Sequence, residues 1–201
     1  MKKRTVFIIL GGIALLITVV AVILTRVYPL SVSPNYNPAT VGQASATIND
    51  FSAVDLSGNE ITNDIFSDST LTMINVWTTS CSPCLKEMPD LTALDKELED
   101  KGFNVIGIVD DIIAADTGEV SQAALELTLR ICEQTGVEYT TLIPDASLKN
   151  GILNGLAGYP TTFFIDKDGN IIGKRYFGAQ TKDEWKEVVL GLLEELEAPT
   201  K

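Results

Sequence analysis

Histidine is absent from all 201 residues. That excludes every mechanism that needs an imidazole base and removes the commonest metal ligand. Cysteine is scarce: Cys81, Cys84 and Cys132 are the whole supply, too few for a disulfide-rich scaffold. Positive charge is also short. Beyond position 26 there are 11 basic residues against 27 acidic ones, an excess of 16 negative charges. A surface of that sign is repelled by phosphates, which sets nucleic-acid partners aside, and otherwise reads as a solvated, solubilising exterior.

Acidic residues are missing altogether from the first 49 positions, and Thr5 to Thr25 is a run of 21 residues without any charge. As a helix rising about 1.5 Å per residue it would span roughly 30 Å, the thickness of a bilayer's hydrocarbon core. Lys2, Lys3 and Arg4 precede the run and Arg26 alone follows it, which puts the N-terminus in the cytoplasm and everything downstream outside. A cleaved signal peptide is the competing reading. Its apolar core is normally about 7–15 residues and is followed by small residues, whereas Arg26-Val27-Tyr28-Pro29 follows here and Ala44-Ser45-Ala46 stands far downstream. The expected organisation is a cytoplasmic tip and membrane anchor over 1–27, an extended Pro-, Ser- and Asn-rich linker over 28–46, and one folded domain over 47–201.

Within that domain, Leu71 to Trp77 (LTMINVW) suits a buried strand. Leu85, Met88, Leu91, Leu94 and Leu98 follow at helical spacing, with Pro89 inside, where a kink is expected, and an expected stop at Lys101-Gly102. Val105 to Val109 is a second strand, completing a βαβ unit with a parallel strand pair. A helix is predicted over Val120 to Thr135, with Ala124, Leu127 and Ile131 marking its buried face. A short strand is predicted over Thr140 to Ile143, and an imperfect helix over Ala146 to Leu156. Thr161 to Ile165, the turn Asp166-Lys167-Asp168-Gly169 and Ile171 to Tyr176 read as a hairpin. A calcium loop is disfavoured there, because glycine falls at the fourth position of the run rather than the sixth. Phe51 to Gly58 with Ile61 forms another hairpin, and Thr181 to Glu184 is a capping box before a final amphipathic helix.

Cys81-Ser82-Pro83-Cys84 lies where the first strand enters its helix. Unpaired N–H groups and a partial positive charge at a helix start stabilise a thiolate, so Cys81, the more exposed sulfur, is the expected nucleophile and Cys84 the resolving thiol. A permanent structural disulfide is the first alternative, although a loop closed over two residues constrains the unfolded chain little. Zinc is the second, and it lacks ligands, since only Cys132 remains. Cys132 itself reads as a small buried hydrophobe of the second helix.

The segment Trp77-Thr78-Thr79-Ser80-Cys81-Ser82-Pro83-Cys84-Leu85-Lys86-Glu87-Met88-Pro89 resembles the W-x-x-x-C-x-P-C-x-x-E-x-P signature of the TlpA/ResA-like family of membrane-tethered thiol–disulfide oxidoreductases. Tyr159-Pro160-Thr161 is similar to the cis-proline loop of the wider thioredoxin superfamily. The resemblance runs from about Thr47 to Glu197. It implies an α/β thioredoxin-like fold: a central mixed sheet flanked by helices, an N-terminal β-hairpin extension, a helical insert over about Ala114 to Gln134, and one transmembrane helix in front. It also implies that Cys81 and Cys84 form a redox-active disulfide, that Glu87 exchanges protons with the resolving thiol, and that Pro160 is cis. Trp77, Pro83, Tyr159 and Pro160 would form the substrate-binding side, Trp77 and Pro83 by shaping the loop. No cofactor and no metal are called for. The implied partners are disulfide-containing exported proteins and a membrane electron donor of the thiol–disulfide type. The implied activity is reduction outside the cytoplasm, with cytochrome c maturation or electron supply to an extracytoplasmic reductase as possible uses. The alternatives are a disulfide-forming oxidase, a thiol peroxidase (Thr78 stands three before Cys81, but the accompanying proline is absent) and a non-enzymatic copper chaperone.

Overall fold

The computed structural model describes Ile48, residues 50–114 and residues 118–198. The expected anchor and linker lie outside the described residues. Among the described residues no helix is long and apolar enough to cross a membrane.

Among the described residues seven strands form one mixed sheet: β1 (Ser52–Asp55), β2 (Glu60–Thr62), β3 (Leu71–Trp77), β4 (Phe103–Val109), β5 (Thr140–Ile143), β6 (Thr161–Asp166) and β7 (Ile171–Phe177), in the spatial order β2-β1-β5-β4-β3-β6-β7. The predicted parallel pair is β3 with β4, and β5 joins β4 in parallel. The remaining pairings are antiparallel. Between β3 and β4 runs helix α1 (Ser82–Leu98), followed by a 3-10 turn over Glu99–Lys101. Helix α2 (Gln122–Thr135) precedes β5, α3 (Ala146–Asn150) follows it, and α4 (Lys182–Glu197) closes the chain.

Every residue of β3 is buried, because a central strand covered on both faces has no solvent side. Ile74 and Val76 join Ile106, Ile108, Phe163 and Ile165 on one face, under Phe51, Phe66 and the α3 residue Leu148. Leu71 and Met73 face the other way, against Leu91, Leu94 and Leu98 of α1 and Trp185, Val189 and Leu193 of α4. Trp77 continues that second face into a cluster with Cys84, Met88, Val109, Ile131 and Ile143. The strand is thereby clamped on both sides up to the point where the dithiol begins.

Both predicted hairpins form, and they share one device. In Asp55-Leu56-Ser57-Gly58-Asn59 the Asp55 carboxylate accepts from the Ser57 and Asn59 backbone N–H groups and from the Asn59 amide. In Asp166-Lys167-Asp168-Gly169-Asn170 the Asp166 carboxylate accepts from the corresponding three donors. The Asp166 carboxylate therefore holds the turn, while that of Asp168 accepts from Lys167 Nζ at 2.9 Å. The capping box at Thr181 and Glu184 is present as expected.

Three expectations shift. Helix α2 starts at Gln122, capped by the Ser121 hydroxyl, rather than at Val120, which pairs with Ile113 in an isolated bridge. Leu127 is 40% exposed and Thr128 takes the buried position instead. Thr128 is tolerated there because its hydroxyl donates back to the Ala124 carbonyl at 2.8 Å, so burial strands no polar group. The helix expected over Ala146 to Leu156 is regular only to Asn150. Gly151 leaves helical geometry and Gly155 has φ +70°, yet Ile152 and Leu153 still reach the core from the turns between them. Helix α1 passes through Pro89, which sits on its exposed side.

Gly102 ends the α1 segment with φ +74° and ψ +31°, the left-handed conformation expected of it. A Cβ there would also approach the Thr70 hydroxyl to 2.7 Å. Gly102→Ala is expected to cost about 1–3 kcal/mol, measured as a lowered urea midpoint with an unchanged slope.

Candidate active site

Strand β3 ends at Trp77, whose carbonyl accepts from Asp110 N–H at 2.9 Å. The chain then turns, with Cys81 N–H donating to the Thr78 carbonyl at 3.1 Å, and α1 begins at Ser82. Cys81 is the N-cap of that helix. Its extended backbone (φ −84°, ψ +92°) aims Sγ at the first turn, where it accepts from the Cys84 N–H at 3.3 Å. Pro83, within the first turn, costs no hydrogen bond, since N–H groups there have no intrahelical partner.

Cys81 and Cys84 form a disulfide with Cα atoms 5.3 Å apart. The two sulfurs occupy different environments. Cys84 is 1% exposed, enclosed by Trp77, Met88 and Val109, whereas Cys81 is half-buried at the surface. A nucleophile that must meet another protein needs access, and only Cys81 has it.

Glu87, one turn beyond Cys84, is a buried carboxylate with 2% exposure. Oε1 accepts from the Trp185 indole N–H at 2.7 Å and from the Gln180 backbone N–H at 2.9 Å, and Oε2 accepts from the Asn75 amide at 3.3 Å. The Asn75 amide also donates to Thr162 Oγ1 at 3.2 Å. Burial pushes the Glu87 carboxyl above its ordinary value of 4.5, and the three donors oppose that rise without cancelling it. Glu87 is thus a buried acid held by an indole, a backbone N–H and an amide.

Other expected residues take distinct positions. Trp77 is fully buried and underlies Cys84, so it reaches the surface only through the loop it supports. Pro83 is exposed. The Tyr159-Pro160 bond is cis, Pro160 is buried, and Tyr159 is half-buried. Cys132 is unpaired and half-buried, packed on the cluster that contains Cys84, with burial pushing its thiol above the ordinary range.

The Redoxin family model matches residues 43–188, which include every residue of this site. The chain belongs to the Redoxin family. It is 32% identical over 140 residues to the thiol-disulfide oxidoreductase ResA of Bacillus thuringiensis subsp. konkukian, covering 68% of this chain and 71% of that one. It is 31% identical over 116 residues to the thiol:disulfide interchange protein HelX of Rhodobacter capsulatus, covering 58% and 57%. Among solved structures, a thioredoxin-family thiol:disulfide interchange protein from Chlorobium tepidum TLS superposes with a TM-score of 0.59 at 23% identity, over 76% of this chain and 99% of that one. The fold is thioredoxin-like, and this Redoxin-family chain is a thiol–disulfide oxidoreductase of the ResA and DsbE type with a close Cys81–Cys84 pair.

Sequence reasoning did not find the partners of Glu87. Asn75 stood in plain view as an amide inside an apolar strand, a position that demands a hydrogen-bond partner. Trp185, by pattern alone, is an ordinary apolar residue of the last amphipathic helix.

Because the folded state holds the Glu87 proton more tightly than the unfolded chain does, the group's contribution to stability is full in acid. It is lost as pH rises through the raised folded value. Glu87→Gln removes the titration. In urea unfolding, the stability of the native chain relative to this variant should therefore fall as pH rises from the ordinary carboxyl value of 4.5 through the raised folded value. Curves that stay parallel would refute the raised carboxyl.

Proposed function

We propose that this chain reduces disulfides of exported proteins from a position outside the cytoplasm, tethered by its N-terminal helix. The observation that carries the reading is the asymmetry of the pair: an accessible Cys81 sulfur at the start of α1 and an enclosed Cys84 one turn further in.

In the reduced protein, the Cys81 thiolate attacks one sulfur of a partner's disulfide. A Cys81–partner bond forms and the partner's other sulfur leaves as a thiolate, which takes up a proton. Cys84 then gives up its proton and attacks Cys81 Sγ. The Cys81–Cys84 bond forms, and the second partner sulfur leaves as a thiolate that takes up the proton Cys84 gave up. Two electrons have passed to the partner, with one proton from Cys84 and one from the solvent, which had received the Cys81 proton. Glu87 is the acid–base group assigned to the Cys84 proton, since a buried carboxyl with a raised pKa holds a proton more readily than a free one and can take and return it. Pro83, Tyr159 and Pro160 form the surface against which an extended partner segment lies, and Trp77 supports that surface from below. A membrane donor of the thiol–disulfide type restores the dithiol.

Support for the location comes from the charge-free run Thr5–Thr25 behind Lys2, Lys3 and Arg4. Cytochrome c maturation, with an apocytochrome as the partner, and supply of electrons to an extracytoplasmic reductase both fit the chemistry. Direction depends on reduction potential: a value near about −270 mV favours reduction, and one near about −120 mV favours an oxidase.

With Cys84→Ser, Cys81 should accumulate mixed disulfides that mass spectrometry identifies as exported proteins, and Cys81→Ser should trap none. Equal trapping by both variants would overturn the order of attack. Cytosolic proteins as the trapped species would overturn the location.

A further inference from the structure

The two loops that flank the dithiol are held by consecutive side chains at the end of β4. Asp110 and Asp111 follow Val109 directly, and their carboxylates point to different loops. Asp110, whose side chain is 9% exposed, accepts from the Tyr159 hydroxyl through Oδ2 and from Lys149 Nζ at 2.5 Å through Oδ1. Lys149 Nζ also donates to the Asp110 carbonyl at 2.6 Å, which ties α3 to the same point. Asp111, exposed, accepts from Thr79 N–H at 3.0 Å to each oxygen and from the Thr79 hydroxyl at 2.7 Å. One acid therefore grips the residue before Pro160, and the next grips the turn that delivers Cys81.

On its far side the Pro160 loop rests on β7. Gly178 N–H donates to the Pro160 carbonyl at 2.9 Å. A Cβ on Gly158 would come within 2.8 Å of the Phe177 ring, so that position admits only glycine without displacing the ring. The loop is thus fixed from both sides, and the Asp110–Tyr159 contact joins it to the strand end that also carries the Cys81 loop. Lys149 neutralises the half-enclosed Asp110, which lets a carboxylate serve as a strut without a net buried charge.

We propose that Asp110 and Asp111 are positioning residues that set the spacing between the Cys81 turn and the Tyr159–Pro160 loop, and thereby determine how tightly a polypeptide disulfide is held. Neither acid takes part in sulfur transfer. The inference rests on the reading above that a partner's extended segment lies between these loops, and it is independent of the direction of electron flow. Its consequence is a split between substrates. A polypeptide must fit between the loops, whereas a small dithiol needs only to reach Cys81.

The test uses Asp111→Ala, Asp111→Asn, Asp110→Asn and the Asp110→Asn/Asp111→Ala pair, with insulin as the polypeptide disulfide. Single-turnover oxidation of the reduced protein over a series of insulin concentrations yields half-saturation and limiting rate separately. Half-saturation should rise about tenfold for Asp111→Ala and further for the pair, the scale expected for losing one or two hydrogen bonds, with the limiting rate little changed. Asp111→Asn should recover most of the loss, because its amide oxygen still accepts from Thr79. Reduction of the Cys81–Cys84 bond by dithiothreitol, and its reduction potential, should stay as in the native chain. Unchanged half-saturation overturns the proposal. So does a potential or dithiothreitol rate that moves in step with half-saturation, since the acids would then act on the sulfurs. Should Asp110→Asn fail to fold, Asp111→Ala decides the matter alone, because Asp111 is exposed. Tyr159→Ala separates the two readings: if it leaves half-saturation for insulin unaltered, the loop is not where the partner lies. If it raises half-saturation while the aspartate variants do not, only the bracing role fails.

Discussion

The contact between the Cys84 N–H and the sulfur of Cys81 is the interaction to which the rest of the architecture is subordinate. It exists only if a helix starts at Ser82, and the helix can start there only if β3 has just delivered the chain to that point. The strand in turn is held in place by two neighbours of opposite polarity, β4 in parallel and β6 antiparallel, and by apolar clusters on both faces. A slip of one residue in β3 would exchange Ile74 and Val76 with Met73 and Trp77 across the sheet and unseat Cys84 from the indole beneath it. The position of one sulfur is thereby over-determined by the whole core.

Enclosure of Cys84 has a counterpart in the enclosure of Glu87. A helix that presses its inner face onto a central sheet buries whatever stands at i+3, and here that is a carboxylate. An apolar side chain among apolar neighbours would pack there at no electrostatic cost. Retaining an acid demands donors, and they come from three distant parts of the chain: Asn75 on β3, the Gln180 backbone before α4, and Trp185 within it. The donors keep the carboxylate tolerable, while burial still favours its protonated form. Burial and the donors thus act on Glu87 in opposite directions, and burial prevails.

What could be read from the chain beforehand follows the range of the interactions involved. Strands, helix starts and turns depend on residues a few positions apart, so the βαβ unit, the Thr181 capping box and the glycine stop at Gly102 were all legible. The dithiol was legible for the same reason, since a sulfur at the N-cap and one a turn later are local facts. The repeated D-x-x-G-N turn was legible too and passed unnoticed, although both hairpins were expected. Leu127 and Thr128 show where local pattern fails: one position of helical phase decides which faces the core, and a back-bonded threonine can take the inner place from a leucine. The turns after Asn150 show another failure, because Ile152 and Leu153 are apolar for the sake of the sheet above them and not of a helix.

The residues that surround the chemistry were the least legible, and the reason is their separation along the chain. Trp185 lies 98 residues from Glu87, and Tyr159 lies 49 from Asp110. No periodicity connects such pairs. Each member is ordinary in its own neighbourhood: a tryptophan on an amphipathic helix, two aspartates after a strand, a tyrosine before a proline. They acquire meaning only when β4, β3 and β6 are set side by side, which brings the end of β4 next to the start of the Cys81 turn and, one strand further, to the loop that enters β6. In a sheet of this order the parallel strand ends converge on one edge, so any side chain just past them is placed near the sulfurs by topology alone. Acidic residues at that edge therefore have to be accounted for by what they hold, and the two at the end of β4 each hold a loop.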